Sequence, residues 1–175
     1  MNDGHCTNWW SSTDFKWFEN SYIKIEKSEQ GVCLYGNKQG LRSLSKQIRQ
    51  IVRKSIPVVT YDEIPGDLEE GSWSMTLKLI SSNNDLTASC PKISFKCGNE
   101  LVNFEWCDIC FFAIIKEGNS GIQLTGNKWG LESFSDHLEI ITQGAISNLS
   151  YEQSNDGYNN KLTLFGVQMI NCQGR

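Results

Sequence analysis

Residues 36–45 read Gly-Asn-Lys-Gln-Gly-Leu-Arg-Ser-Leu-Ser, and residues 126–135 read Gly-Asn-Lys-Trp-Gly-Leu-Glu-Ser-Phe-Ser. Seven of these ten positions are identical at a spacing of ninety residues. The same spacing relates Gly31 to Gly121 and Ile51 to Ile141, which indicates a tandem duplication of one structural unit. Because a unit of roughly 60 to 80 residues buries little surface by itself, we expect the two copies to share a core or a sheet.

Each copy predicts the same order of elements. Residues 22–25 and 31–35, like 112–115 and 121–125, are apolar segments joined by a short polar stretch, which is typical of a β-hairpin. Asn37 and Asn127 then stand where a helix N-cap belongs, and apolar residues follow at the spacing of one helix face. An extended segment, 56–61 or 146–151, leads through a polar loop to a last strand.

The repeat spacing also assigns faces. A gapless register of ninety residues pairs Ile25 with Ile115. It also matches the apolar face of the last strand in copy one with the corresponding positions in copy two: Trp73, Met75, Leu77 and Leu79 with Thr163, Phe165, Val167 and Met169. Only the aromatic pairs before the hairpin are offset by 89, which predicts a one-residue insertion between them and the hairpin.

The predicted fold is α+β. Two tandem repeats, each an antiparallel sheet with one helix, pack as one pseudo-symmetric domain. We expect residues 1–80 to form repeat unit one with an N-terminal extension, residues 81–92 to form a connector, and residues 93–175 to form repeat unit two.

Gly40 and Gly130 occupy the first turn of the predicted helices, where glycine disfavours helix formation. Two interpretations account for them: close packing of the helix backbone on the sheet, or a phosphate-binding loop supported by Lys38 and Lys128. The spacing of a Gly-x-x-x-x-Gly-Lys-Ser/Thr motif is absent, which favours close packing.

Composition excludes several classes. The chain of 175 residues has a net charge of −4, and the whole excess of acid lies in residues 81–175. This sign argues against nucleic-acid binding and favours a basic partner. No apolar run reaches the roughly 18 residues that a membrane span needs, and the start lacks a secretory pattern, so we expect a cytoplasmic protein without a membrane partner.

Cysteine and histidine placement suggests neither a metal site nor a catalytic one. Seven cysteines form no repeated pairs, which predicts reduced thiols. The Cys107-x-x-Cys110 spacing suits zinc or a redox pair, but it runs directly into an apolar strand. Of two histidines, His5 and His137, neither is set in a nucleophile or metal pattern. We therefore expect no cofactor, no metal and no enzymatic activity.

Opposite charges occupy matched positions on the two predicted helices. Arg42, Lys46 and Arg49 in copy one correspond to Glu132, Asp136 and Glu139 in copy two. At helical spacing these positions lie opposite the apolar stripe and are expected to face solvent. Three interpretations remain open: two solvated faces, an acidic helix presented to a basic partner, or a homodimer in which the basic helix of one chain meets the acidic helix of another.

A second acidic cluster follows the first helix. It comprises Asp62, Glu63, Asp67, Glu69 and Glu70, and its counterpart in the second copy is mostly uncharged. A long loop of this kind is either merely hydrated or suited to recognise a cationic surface. The spacing does not match that of an EF-hand calcium loop.

The Gly-Asn-Lys-x-Gly-Leu turn, with its preceding hairpin and following strands, resembles the small immunity proteins of bacterial polymorphic toxin systems. The nearest resemblance is to the family numbered thirty-two in that series, usually a single unit. The resemblance implies a non-enzymatic protein that binds a cognate toxin domain and blocks its active site. The acidic helix or the acidic loop would then meet a basic toxin cleft, such as that of a nuclease. The alternative is a non-enzymatic homodimeric interaction module with no toxin partner.

Overall fold

The computed structural model describes residues 16–28, 31–61, 74–80, 91–97, 100–106, 109–117, 121–144, 146, 148–155 and 158–167. The first unit contains β1 (Ile23–Ser28), β2 (Gly31–Gly36), α1 (Lys38–Lys54), β3 (Val58–Tyr61) and β4 (Ser74–Leu79). A hairpin follows, made of β5 (Lys92–Cys97) and β6 (Glu100–Phe104). The remaining elements are β7 (Phe112–Glu117), β8 (Gly121–Gly126), α2 (Lys128–Thr142), β9 (Asn148–Asn155) and β10 (Tyr158–Gly166).

These elements confirm the predicted α+β class, since the described residues form two helices and two sheets. The larger sheet has the strand order β1-β2-β10-β9-β5-β6, and the smaller has the order β3-β4-β8-β7. Each sheet therefore joins the hairpin before the helix of one unit to the hairpin after the helix of the other. The described residues form a core that runs through both sheets and both helices, as expected for copies that share a core.

The two units meet through parallel strand pairs. Within a unit the hairpins are antiparallel, whereas β2 pairs with β10 and β4 pairs with β8 in parallel. Parallel neighbours need a long crossover connection. The chain from β4 to β8 passes through β5, β6 and β7, and the chain from β2 to β10 passes through every element from α1 to β9. The two junctions are equivalent, because β2 and β8 occupy the same place in their units. The fold is therefore pseudo-symmetric.

The gapless register of ninety residues is wrong for the last strand. Val32 lies opposite Leu162, and its equivalent Ile122 lies opposite Met75, so Met75 and Leu162 are equivalent at a spacing of 87. The chain between Tyr151 and Leu162 is thus three residues shorter than the chain between Tyr61 and Met75. Because an odd shift exchanges the two faces of a strand, Leu162 and Leu164 are buried, while Thr163 and Phe165 lie on the opposite face.

The register is also wrong for the first strand of each hairpin. Ile23 lies opposite Gly36 and Phe112 opposite Gly126, which makes the spacing 89 and pairs Ile25 with Ile114 rather than with Ile115. The predicted one-residue insertion exists, but it lies between the end of β7 and the start of β8. The shared aromatic positions keep their role, because Trp17 and Trp106 both pack against the core.

The repeated Gly-Asn-Lys-x-Gly-Leu segment anchors each helix to the start of its unit. The Asn37 side-chain oxygen accepts hydrogen bonds from the backbone N–H groups of Gly40 and Tyr22, and its amide donates to the Asn20 carbonyl. Asn127 makes the equivalent bonds to Gly130, Phe111 and Ile109. The predicted N-caps are confirmed, and each cap also fixes the chain that leads into the hairpin.

The first-turn glycines are explained by close packing. A Cβ atom on Gly40 would lie 2.4 Å from the Tyr22 carbonyl oxygen, and one on Gly130 would lie 1.9 Å from the Phe111 carbonyl oxygen. Any other residue would force the helix away from this backbone. This agrees with the packing interpretation.

Candidate functional site

The two helices cross where equivalent serines face each other. The Oγ atoms of Ser45 and Ser135 are 2.7 Å apart, and each hydroxyl lies within hydrogen-bond distance of the other serine's backbone carbonyl. Both residues are fully buried. Small side chains allow the helix backbones to approach closely, and the reciprocal bonds satisfy the buried hydroxyls. The pseudo-twofold axis of the fold therefore passes through this serine pair.

One turn further along, the opposite charges of the helices meet within the chain. Arg49 forms ion pairs with Glu139, the residue equivalent to it, and with Asp136. The Ser45 Oγ atom also lies 3.0 Å from a carboxylate oxygen of Glu139, which is within hydrogen-bond distance. The hydrogen bond from Arg49, supported by the one from Ser45, lowers the pKa of Glu139. These residues form a seam across the surface of the helix pair.

The expectation that all six charged positions face solvent is correct for only part of the set. Glu132, Arg42 and Lys46 are exposed. Asp136 has 65% of its side chain exposed, whereas Arg49 and Glu139 retain 36% and 39% because they pack against the opposing helix. Full exposure was wrongly expected for Arg49 and Glu139. Each helix has two flanks beside its apolar stripe, and these residues lie on the flank that packs against the other helix.

Beside the seam, α1 carries a row of cations that sequence reasoning found only in part. Arg53 continues the line of Arg42, Lys46 and Arg49 at helical spacing, and it is exposed. It was missed because only positions with an opposite charge in the other copy were compared, whereas the spacing along α1 alone would have found it. Together these four residues line a groove of about 270 Å³ with Phe18 and Glu139, and the Lys46 ammonium lies 5.7 Å from the Phe18 ring centre.

The structure brings together some of the predicted acidic residues. Glu132, Asp136 and Glu139 form one stripe along α2, beside the cationic row of α1. The predicted acidic loop, with Asp62, Glu63, Asp67, Glu69 and Glu70, lies outside the described residues.

His137, the histidine that the structure describes, is a core residue. Its Nδ1 atom lies 2.8 Å from the Tyr151 hydroxyl, and the Trp106 ring packs edge-on against it. Burial lowers the pKa of His137 to about 4. In the first unit, Gln47 and Tyr61 form the equivalent pair, with the hydroxyl donating to the amide oxygen at 2.7 Å. Both pairs satisfy a buried tyrosine hydroxyl on the inner side of a helix.

The larger sheet also presents a polar and aromatic groove on its helix-free face. The groove has a volume of about 570 Å³, with Cys33, Ser150 and Thr163 on its floor. At one side the Tyr35 and Phe165 rings stack with centres 4.9 Å apart. On the smaller sheet, Thr125 occupies the position equivalent to Tyr35, and Lys78 occupies the position equivalent to Phe165.

The described residues contain no group of three or more histidine, cysteine, aspartate or glutamate side chains placed to hold a metal ion. Cys107 of the cysteine pair lies outside them. No helix in the described part of the chain is long and apolar enough to cross a membrane.

Comparison with known proteins identifies the family. The sequence model of Immunity protein 32 matches residues 32–80 and 121–165, which run from β2 to the end of β4 and from β8 into β10. The two matched segments therefore contain both helices and both parallel strand junctions. No match was found to a curated protein or to a solved structure. Since the match covers more than half of the sequence, the chain belongs to the Immunity protein 32 family.

Proposed function

We propose that this protein is a cytoplasmic immunity protein that binds a cognate bacterial toxin domain and occludes its active site. The match to the Immunity protein 32 family over both helices and their strands carries this proposal. The protein acts by binding and not by catalysis. In support of that distinction, the described histidine is buried against aromatic rings, whereas the charged side chains lie on the surface of two packed helices.

The toxin-binding surface that we propose includes the exposed acids of α2. Glu132 and Asp136 lie one helical turn apart on a helix that is held by the serine crossing and the Arg49 seam. A rigid helix places its charges at fixed positions before the partner arrives, which reduces the entropy lost on binding. Acids arranged in this way complement a basic cleft, and nuclease toxins have basic clefts because they bind phosphates.

A survival count tests the proposed function. Cells express the C-terminal domain of the protein encoded next to this gene, with and without this chain in the same cytoplasm. We expect the domain to kill and this chain to restore survival. An unrelated acidic protein of similar size, expressed at the same level, serves as the control for nonspecific neutralisation. Killing that this chain does not relieve would contradict the proposal.

The acidic surface needs its own variants. Glu132→Lys changes an exposed acid without touching the seam, so the fold should be unaffected. We expect it to weaken toxin binding about tenfold, an effect carried mainly by the association rate and reduced at high salt. A second variant measures the contribution of the acidic loop to toxin binding. It changes Asp62 and Asp67 to Asn, and Glu63, Glu69 and Glu70 to Gln. Unchanged affinity in both variants would exclude these acids from the interface.

The homodimer alternative has less support from the helix charges. Arg49 already pairs with Asp136 and Glu139 inside one chain, so this complementarity is satisfied without a second copy.

A further inference from the structure

The groove beside the helix seam concentrates positive charge on one flank of α1. Arg42, Lys46, Arg49 and Arg53 all line it. Of these, Arg49 is engaged by acids of α2. Among the described residues, no carboxylate lies within ion-pair distance of Arg42, Lys46 or Arg53.

Such a row of like charges is unfavourable within the folded protein. The four cations stand at positions i, i+4, i+7 and i+11 of one helix, where neighbours lie one turn apart and like charges repel. The acids of α2 relieve this repulsion mainly at Arg49, which they pair with directly, and through the weaker attraction of Glu139 at Arg42. An anionic partner placed in the groove would relieve it along the rest of the row.

We propose that this basic groove receives an acidic surface segment of the toxin domain. The inference rests on the proposed function and extends it, because it gives the toxin's contact surface two signs: basic where it meets Glu132 and Asp136 on α2, and acidic where it meets the groove on α1. A surface of two signs also fixes the orientation of the partner, since rotating it would bring like charges together.

The dimensions of the groove suit a short peptide segment. From Arg42 to Arg53 the helix rises about 16 Å, which an extended segment of about five residues spans. Phe18 provides an apolar wall on one side, and Lys46 lies over its ring.

The acids of the seam argue against nucleic acid as the occupant. Glu139 lines the groove, and Asp136 and Glu132 continue along α2 beside it. A phosphate backbone running past the groove would meet these carboxylates and be repelled. The net charge of −4 adds to that repulsion over longer distances.

Charge reversal in the groove tests this inference. The test variant carries Arg42→Glu, Lys46→Glu and Arg53→Glu. A matched control carries Lys38→Glu, Lys78→Glu and Lys128→Glu, which changes the net charge equally at exposed positions that do not line the groove. Affinity for the purified C-terminal domain of the neighbouring protein is measured at low and high salt, and survival is counted in parallel.

We expect the test variant to weaken binding about a hundredfold at low salt and to lose protection, while the control stays within about threefold of the unchanged protein. If the charge-reversed chain does not fold, Arg42→Gln, Lys46→Gln and Arg53→Gln remove the charges without adding new ones. About a tenfold loss is then expected.

Failure of the inference and failure of the proposed function give different results. If the unchanged chain protects and the groove variants protect and bind equally well, the basic groove is not part of the interface. If the unchanged chain does not protect, the proposed function fails. A 20-base-pair DNA duplex that binds the unchanged chain but not the groove variants would also overturn the inference, because it would show that the groove recognises phosphates.

Discussion

At the scale of single residues, Asn37 and Asn127 show how far local sequence reaches. Their role as N-caps could be predicted, because a cap depends only on the side chain and the next few residues. The partners of their amide groups could not be predicted, because the Asn20 and Ile109 carbonyls are brought there by the path of the chain before the hairpin. The same path explains why Gly40 and Gly130 must lack a Cβ atom.

The buried histidine predicts a pH dependence of stability. In the folded protein the pKa of His137 is lowered to about 4, whereas an unfolded chain takes up this proton near the ordinary value of 6.5. The unfolded state therefore binds more protons, and stability falls as the pH is lowered from about 6.5 towards 4. The loss from this group approaches about 3 kcal/mol at the end of that range.

His137→Gln removes this dependence in a conservative way, because Gln47 occupies the equivalent site in the first unit and bonds its tyrosine. We expect denaturant unfolding of this variant to show a weaker loss of stability between pH 6.5 and 4 than the unchanged protein. Gln47→Ala serves as a contrast: it lowers stability at every pH and leaves the slope unchanged. An equal slope in His137→Gln and the unchanged protein would exclude His137 as the cause.

At the scale of elements, helices were predicted more reliably than strand faces. The apolar stripe and cap of α1 and α2 repeat closely enough to be found from sequence. The predicted buried face of β10 was wrong. The segment before this strand is three residues shorter than its counterpart before β4, and this difference leaves no signal in the residues on either side. In that strand Leu162, Leu164 and Phe165 are all apolar, so the alternation itself does not decide which face is buried.

The contribution of the seam between the helices to stability can be measured by charge reversal. Arg49→Glu places a third acid beside Asp136 and Glu139, and we expect it to lower the free energy of unfolding by about 1 to 2 kcal/mol, since the groups are partly exposed. Adding Glu139→Arg to that variant exchanges the two charges and should recover at least half of the loss. Urea unfolding of the two single variants and the double variant measures this coupling.

Arg53→Glu is the control for the seam, because Arg53 lies on the same flank of α1 and has no carboxylate partner among the described residues. A change within about 0.5 kcal/mol is expected for it. If Arg49→Glu and Arg53→Glu cost the same, the seam contributes nothing specific to helix packing.

At the scale of the whole molecule, the arrangement of two units in two shared sheets could not be deduced. Hydrophobic patterns identify hairpins and helices, but they do not say which hairpin of one unit lies beside which hairpin of the other. The observed sheets each take one hairpin from each unit. Sheets that each kept both hairpins of a single unit would bury the same strand faces. The prediction of a shared core was confirmed. It could be made from the sequence because it depends only on the size of the units.

Shared sheets predict that neither unit folds independently. We expect fragments 1–86 and 87–175 to be largely unfolded when separate, because each lacks the strands that complete its sheets. Mixed in equal amounts, they should form a one-to-one complex with the near-ultraviolet circular dichroism of the intact chain.

Two copies of the same fragment should pair poorly, since Arg49 would then face another Arg49, or Glu139 another Glu139, across the pseudo-twofold axis. Cooperative unfolding of either fragment as a monomer would contradict the prediction. Analytical ultracentrifugation separates these cases.

The parallel pairing of β2 with β10 also has a consequence in time. A ribosome produces Val32 early and its sheet neighbour Leu162 only near the end of the described chain, so the edge of β2 waits unpaired through most of translation. The first unit thus leaves the ribosome with one edge of β2 open and with α1 still lacking the helix that it packs against. The larger sheet can therefore be completed only after β10 has been synthesised. A nascent chain halted before β10 lacks the strand that joins β2 to β9 in the middle of this sheet.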